Sequence, residues 1–542
     1  MAALFWRKYV MDQWAGMAMC LALVAPVLAL LVALWVRKSQ LASADQAWRR
    51  VQGAVWLGLA ASIAASVLQV IGSVQPAWAG MLGMTALSAA LSVLVQGLAG
   101  VIAAFSGRYL QGDRQGVAGQ QRYASSLAMV LACVQILLLA DHWIVLIVAW
   151  AAVGGALQHL LCFYSDRPFA LLAAHKKRLA DRIADGLLVC AAALAWHEVG
   201  SGSLSQLAQH MADTTAQGVS SVGMQACAVL LVLAVVLRTA LFPVHGWLTQ
   251  VMEAPTPVSA LLHAGVVNLG GWVLIRQSSL IEASPVARCL LVGVGVATAL
   301  LAGMVMMTRI SIKVRLAWST VAQMGFMVME CGLGLYTLAA LHLIGHSLYK
   351  AHAFLAASGA VQQTRLQQMR SPAMPAAWSL WMAPGLALAM VAGLHGFMSV
   401  SGWPLWWTAV LALAWAPLLW VPVNTRTGRL CAAGWSAGVV LLAGLTLVAS
   451  WAHGLPLGLQ DAPYDSAGWF VALAMGLMYA ATVALQRWPQ RLASLRRWSY
   501  AGFYVDEFYT RVTLRLWPAQ WTPRTAIQKD GWPACALMTA QD

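Results

Sequence analysis

Charge is what this chain has least of. Lys, Arg, Asp and Glu make up 9% of its 542 residues, where a soluble domain carries roughly 25%. Acids are scarcer still, 18 against 33 basic residues, for a formal net charge of +15. The basic residues are spread along the chain instead of clustering on one domain, which argues against a nucleic-acid partner. Nine cysteines are scattered with no C-x-x-C pair, so zinc and iron–sulfur sites are not expected and the thiols read as small hydrophobes. No G-x-G-x-x-G opens a helix after a strand and no P-loop occurs. The chain therefore offers no nucleotide, redox, metal or catalytic set of its own, and a transporter or coupling subunit without a cofactor is expected instead of an enzyme.

What is abundant is apolar sequence, 61% of all residues. Runs near 20 apolar residues span a bilayer as helices. About fifteen occur, at 16–36, 54–74, 81–105, 123–140, 143–163, 183–196, 222–241, 258–275, 285–307, 316–332, 336–360, 374–400, 404–421, 430–449 and 467–485. The expected fold is all-α, a polytopic membrane helix bundle with the lipid bilayer as its first partner. Loops after odd-numbered spans hold most basic residues, among them Arg37, Lys38, Arg122, Lys176, Lys177 and Arg315, whereas the other side has Arg7, Lys8, Arg276 and Arg288. The positive-inside rule then places the N-terminus outside and the C-terminus in the cytoplasm. The first 16 residues lack a signal-peptide cleavage pattern, so the first span is expected to be retained. Spans one to three carry little interior polarity and read as a lipid-facing frame.

The organising stretch is Leu237 to Arg276. Pro243 lacks an N–H and crowds the preceding turn, which breaks the seventh span and frees backbone groups that lipid cannot satisfy. Arg238 and His263 at membrane depth should face a polar interior, as on an ion path. His342, His346 and Lys350 follow at intervals of four, on one stripe of a helix. A stripe of proton-exchanging groups inside lipid points to a relay. Interhelical hydrogen bonding by the histidines is the blander alternative, and zinc would need a third ligand that is not evident. His352 lies off the stripe. Lys313, at the start of the tenth span, joins the path by resemblance below and otherwise reads as a topology anchor. A candidate entrance comprises Asp141, His159, Arg182 and Asp185, the last two being three apart and so on one helical face. Gly393 and Gly396 mark a second expected helix break. In the tail, Tyr504, Asp506, Tyr509 and Trp517 form an aromatic and charged stretch that suits either an interfacial anchor or a docking surface.

The patterns R-T-A-L-F-P-x-H-x-W-L and A-P-T-P-V-S-A-L-L-H-A-G, together with Ser311 to Phe326 and His342 to Ser358, resemble the proton-conducting membrane subunits of respiratory complex I and the Mrp-type antiporters. The resemblance covers roughly Phe105 to Ser401. It implies antiporter-like inverted five-helix repeats with broken helices: framing helices over 1–122, repeats at 123–276 and 284–421, further spans over 430–486 and a tail at 487–542. The pattern departs where the family places a glutamate after the tryptophan of the fifth span, since Ala151 follows Trp150, and where it places a lysine, since this chain has Arg238. Val400 stands near the place of another expected ionisable group, and the long lateral helix of the complex I members is not expected. The ending G-F-Y-V-D-E-F-Y-T-R-V-T-L-R-L-W-P is similar to the membrane subunit of the DAB inorganic-carbon accumulation systems. That resemblance implies an ion-conducting, proton-translocating subunit of the inner membrane. Its partner would be a large cytoplasmic zinc carbonic-anhydrase-like subunit of the DabA type that hydrates CO2 to bicarbonate. A proton-pumping subunit of an NADH–quinone oxidoreductase or an Mrp-type cation/proton antiporter is the alternative, and a non-conducting anchor a third reading.

Overall fold

Inside lipid every backbone N–H and C=O must find its partner within the chain, which leaves the helix as the economical solution for a sequence this apolar. The computed structural model describes residues 2–39, 43–72, 77–216, 221–357, 375–398, 403–421, 428–488 and 490–519. Each of the fifteen apolar runs has most of its described residues in helices. Among the described residues ten helices are long and apolar enough to cross a membrane, and two shorter ones, Val222–Arg238 and Leu405–Leu419, are also apolar. The remaining three runs lie on the helices Pro168–Val199, Ile312–Gly332 and Tyr336–Ala356. Their mean hydropathy is diluted by the lysines, carboxylates and histidines that make them functionally interesting. One small antiparallel pair, Ala77–Trp78 with Leu82–Gly83, precedes the helix Ala86–Tyr109.

Helix starts are chemically marked. Thr85 accepts from the Ser88 backbone N–H at 3.1 Å while Ser88 Oγ accepts from the Thr85 N–H at 2.8 Å, a reciprocal cap. Ser221 accepts from the Met224 N–H at 3.0 Å to open Val222–Arg238, and Ser284 caps a helix whose first residue is Pro285.

Two units are distinguished within the chain. The first takes Met1–Val273, His346–Leu355 and the residues from Val505 onward; the second takes Leu274–Gly345 and Ala356–Tyr504. In the first, the opening helices do present apolar side chains outward, such as Leu57 and Val70. Yet their inner side is more polar than expected. Ser62 meets Ser92 at 3.1 Å, Ser92 donates to Gln135 at 2.7 Å, and Gln69 donates to the Met84 carbonyl. Small polar side chains of this kind join helices where no water competes. In the second unit, Trp403, Trp406, Trp407 and Leu419 are core residues. Trp406 donates to Asp465 at 2.8 Å, and Trp420 to Tyr479 at 3.0 Å. The helices Pro285–Thr308 and Ile312–Gly332 cross at Gly295 and Gly325, where a Cβ on Gly295 would lie 2.7 Å from the Gly325 carbonyl oxygen.

The interruption expected at Gly393 and Gly396 is not there: Ala377–Phe397 is helical through both. Glycine weakens a helix by about 1 kcal/mol relative to alanine but keeps its N–H, so the hydrogen-bond ladder survives. Lipid, which penalises any freed backbone group, favours that outcome. Val400 lies outside the described residues.

Candidate functional site

The broken region begins earlier than its proline. Helix Val222–Arg238 ends at Arg238, not at Leu241 as the apolar run suggested, with Thr239 as its C-cap. A helix-interior proline clashes with the carbonyl four residues before it, and the residue preceding it avoids the α region. Counting back from Pro243, that carbonyl belongs to Thr239. Ala240 takes a positive φ of 54° and the Phe242–Pro243 bond is cis. The chain resumes as the short helix Gly246–Gln250, a turn at Val251–Glu253 and the helix Thr256–Ala264. A second break, unforeseen from sequence, lies at Gly265, before Leu269–Arg276 resumes. Asn268 covers it, donating to the Ala264 carbonyl at 3.1 Å and to Ser347 Oγ at 2.8 Å.

The early stop leaves Arg238 as a terminal helical residue, 5% exposed. Its guanidinium donates to the Trp150 carbonyl at 2.9 Å, lies 4.6 Å from the Trp150 ring centroid, and pairs with Asp185. Ala151 cannot supply the carboxylate that the resemblance places after the tryptophan. Asp185, on Pro168–Val199, supplies a counter-charge instead. Arg182, the partner expected from sequence, reaches Asp185 only at 3.8 Å and is 76% exposed.

Asp185 ends a series spaced by four along one helix: Lys177, Asp181, Asp185. Lys177 pairs with Asp181 at 2.5 Å and lies over the Trp247 ring at 5.2 Å. Beside it, Lys176 is fully buried and donates to Asp506 at 2.5 Å, Thr510 at 2.8 Å and Gln250 at 3.2 Å. Asp506 also accepts from Gln250 at 2.7 Å. Burial pulls the Lys176 ammonium below the usual lysine range, and the Asp506 charge opposes that pull. Gly246 allows this approach, since a Cβ there would fall on the Asp506 carboxylate.

Part of the tail is engaged within the chain itself. Asp506 faces the chain's own Lys176, and so does Tyr509, over whose ring Lys176 sits at 5.3 Å. A buried ammonium requires a counter-charge, and the tail helix Val505–Leu516 brings one. Tyr504 and Trp517 remain exposed, with the Trp517 carbonyl 3.1 Å from His175 Nε2.

His263 is fully buried and stacks on Phe354 at 4.4 Å. His346 and Lys350 are buried in the same unit, at 6% and 1% exposure. In the second unit, His342 Nδ1 lies 2.8 Å from a carboxylate oxygen of Glu330, which is 3% exposed. Sequence reasoning missed Glu330, although a lone acid within M-V-M-E-C-G was signal enough. The other sites stand apart. Lys313 is part-exposed in the first turn of Ile312–Gly332, and His352 is exposed. Asp141 accepts from Ser205 at 2.7 Å and its backbone pairs with Met81 and Leu204, so it ties loops together. His159 is exposed and lines a separate cavity. Among the described residues no three His, Cys, Asp or Glu side chains are grouped to hold a metal.

A polytopic helical chain with an interrupted helix pair and buried ionisable groups defines a class of membrane transport subunits. Residues 140–421 match the NADH:quinone oxidoreductase/Mrp antiporter transmembrane family, and the chain belongs to that family. It is 38% identical over 452 residues to the probable inorganic carbon transporter subunit DabB of Hydrogenovibrio crunogenus, spanning 81% of this chain and 84% of that one. It is 36% identical to the probable subunit DabB2 of Halothiobacillus neapolitanus, over 82% of each chain. With NADH-quinone oxidoreductase subunit L of Mycobacterium tuberculosis it shares 30% identity over 58% of this chain and 49% of that subunit. The solved Mrp complex from a Dietzia species contains a chain of the same fold, with TM-score 0.54 and 23% identity over 96% of this chain and 59% of that one.

Proposed function

We propose that this chain is the ion-conducting membrane subunit of an energy-coupled inorganic-carbon accumulation complex in a bacterial inner membrane. The observation that carries the reading is the 38% identity to a DabB subunit across more than four-fifths of both chains. Protons are the ion that its side chains suit. His342, His346 and Lys350 occupy successive positions four apart on the helix Tyr336–Ala356, with Glu330 of the helix Ile312–Gly332 beside His342, and imidazole, carboxylate and amine all exchange protons. Arg238 does not, because a guanidinium stays charged in essentially any setting. It serves as a fixed positive charge beside the break, with Asp185 as its counter-ion.

In this reading the N-terminus is outside and the tail cytoplasmic, where a large zinc carbonic-anhydrase-like subunit docks and hydrates CO2. Coupling runs from the ion gradient through this chain to that partner. Purification of the tagged chain in mild detergent tests the assignment. Recovery of one large zinc-containing soluble protein is expected; recovery with several other antiporter-like membrane subunits contradicts it. The latter result belongs to the second reading, a pumping subunit of a quinone oxidoreductase or Mrp antiporter, which the match to subunit L favours.

A further inference from the structure

A cavity of about 390 Å3 opens in the first unit, away from Arg238 and Lys176 in its lining, and the ion path does not account for it. Arg37, Arg122, His159, Ser126, Ser165 and Tyr123 are among its lining residues, and among the described residues no acid lines it. The nearby Asp113 is engaged elsewhere, accepting from Tyr164 at 2.8 Å. Cationic groups and hydroxyls without a carboxylate suit an oxyanion with several acceptor oxygens, and paired arginines favour phosphate.

The surfaces leading to the cavity narrow the source. On the helix Ala2–Lys38, whose last turn carries Arg37, Leu31 and Leu34 are exposed apolar side chains. On Trp143–Leu161, residues Ile144, Val148, Ala152 and Gly155 are exposed in a row that ends at His159. Both stripes are exposed and apolar, and both lead to lining residues, Arg37 and His159. A headgroup in the cavity with acyl chains lying along these stripes satisfies both features, whereas a free anion uses only the first. We propose that this cavity holds the phosphate of an anionic phospholipid at the Arg-rich end of the bundle. The inference is independent of the transported ion and of the partner.

The test is native mass spectrometry of the detergent-purified chain titrated with phosphatidylglycerol, phosphatidylethanolamine or inorganic phosphate. Wild type should bind phosphatidylglycerol, and the R37A/R122A double variant should bind it about tenfold or more weakly, given the contribution of each basic residue near an anionic lipid surface. Phosphatidylethanolamine, whose net charge is zero, should not distinguish the two. The R37K/R122K variant retains the charges and should recover most of the binding, which separates loss of the site from misfolding. Equal phosphatidylglycerol binding by wild type and R37A/R122A would overturn the proposal. So would arginine-dependent binding of inorganic phosphate with no such dependence for the lipid, because the source would then be a free anion.

Discussion

Two buried cations, Arg238 and Lys350, differ in what their chemistry permits. Arg238 is enclosed by the Trp150 carbonyl, the Trp150 ring and the Asp185 carboxylate. Each contact suits a planar, permanent cation, and none requires a proton to leave. Lys350, at 1% exposure, shares a helix with His342 and His346. There the polar groups named are imidazoles and an amine, side chains whose chemistry allows a proton to leave, unlike a guanidinium. The difference teaches that the first position, although it is where the family resemblance places a lysine, holds a charge in place. In the proposed function, proton exchange is then assigned to the helix Tyr336–Ala356.

The strongest way to break this contrast is at the exchanging helix. Lys350→Ala and His346→Ala should each abolish transport-dependent growth while the protein still inserts and assembles, as checked by membrane fractionation. Normal growth of both variants would sink the relay. The next effect is expected at the fixed charge. Arg238→Ala leaves the Asp185 carboxylate without its buried partner, a loss towards the lower end of roughly 3–5 kcal/mol because Asp185 is partly exposed. Arg238→Lys keeps the pairing, so detergent-solubilised melting temperatures should fall clearly for alanine and little for lysine. If both fall alike, hydrogen-bond geometry matters more at this site than charge.

A smaller effect is expected where the tail meets the bundle. Asp506→Asn removes the counter-charge of fully buried Lys176, and Gly246→Ala drives a methyl group onto the same carboxylate. Both should loosen the helix Val505–Leu516 and speed its cleavage by protease severalfold, and unchanged cleavage would show that the contact does not hold the tail. The smallest effect is expected at Arg182. Its pair with Asp185 is long and solvated, and exposed pairs contribute roughly 0–1 kcal/mol. Arg182→Ala should therefore leave both growth and melting temperature unchanged within error.

The helices were legible because lipid enforces a simple rule, and the apolar runs became helices, the run 258–275 as two pieces broken at Gly265. Where runs were overextended, local stereochemistry decided: Pro243 ended its helix at Arg238, and Gly393 and Gly396 failed to end theirs because glycine keeps its N–H. The break at Gly265 gave no comparable signal, since its stabilisation depends on Asn268 reaching Ser347, 79 residues away. The ionisable stripe of His342, His346 and Lys350 could be read from spacing alone. Its carboxylate partner Glu330 is close in sequence and was overlooked. Asp185 with Arg238, and Lys176 with Asp506, are separated by 53 and 330 residues, and no periodicity links positions so distant. The sequence-based pairing of Arg182 with Asp185 found a neighbour on the same helix and missed the stronger partner on another.

The most direct measurement is proton uptake driven by a pH gradient in vesicles carrying the complete complex, comparing Arg238→Lys with Lys350→Arg. Each variant exchanges one cation type for the other and preserves charge. A fixed charge at 238 and an exchanging group at 350 predict near-normal flux for Arg238→Lys and none above background for Lys350→Arg. Full flux through Lys350→Arg, or its loss in Arg238→Lys with the complex intact, would contradict that division of roles.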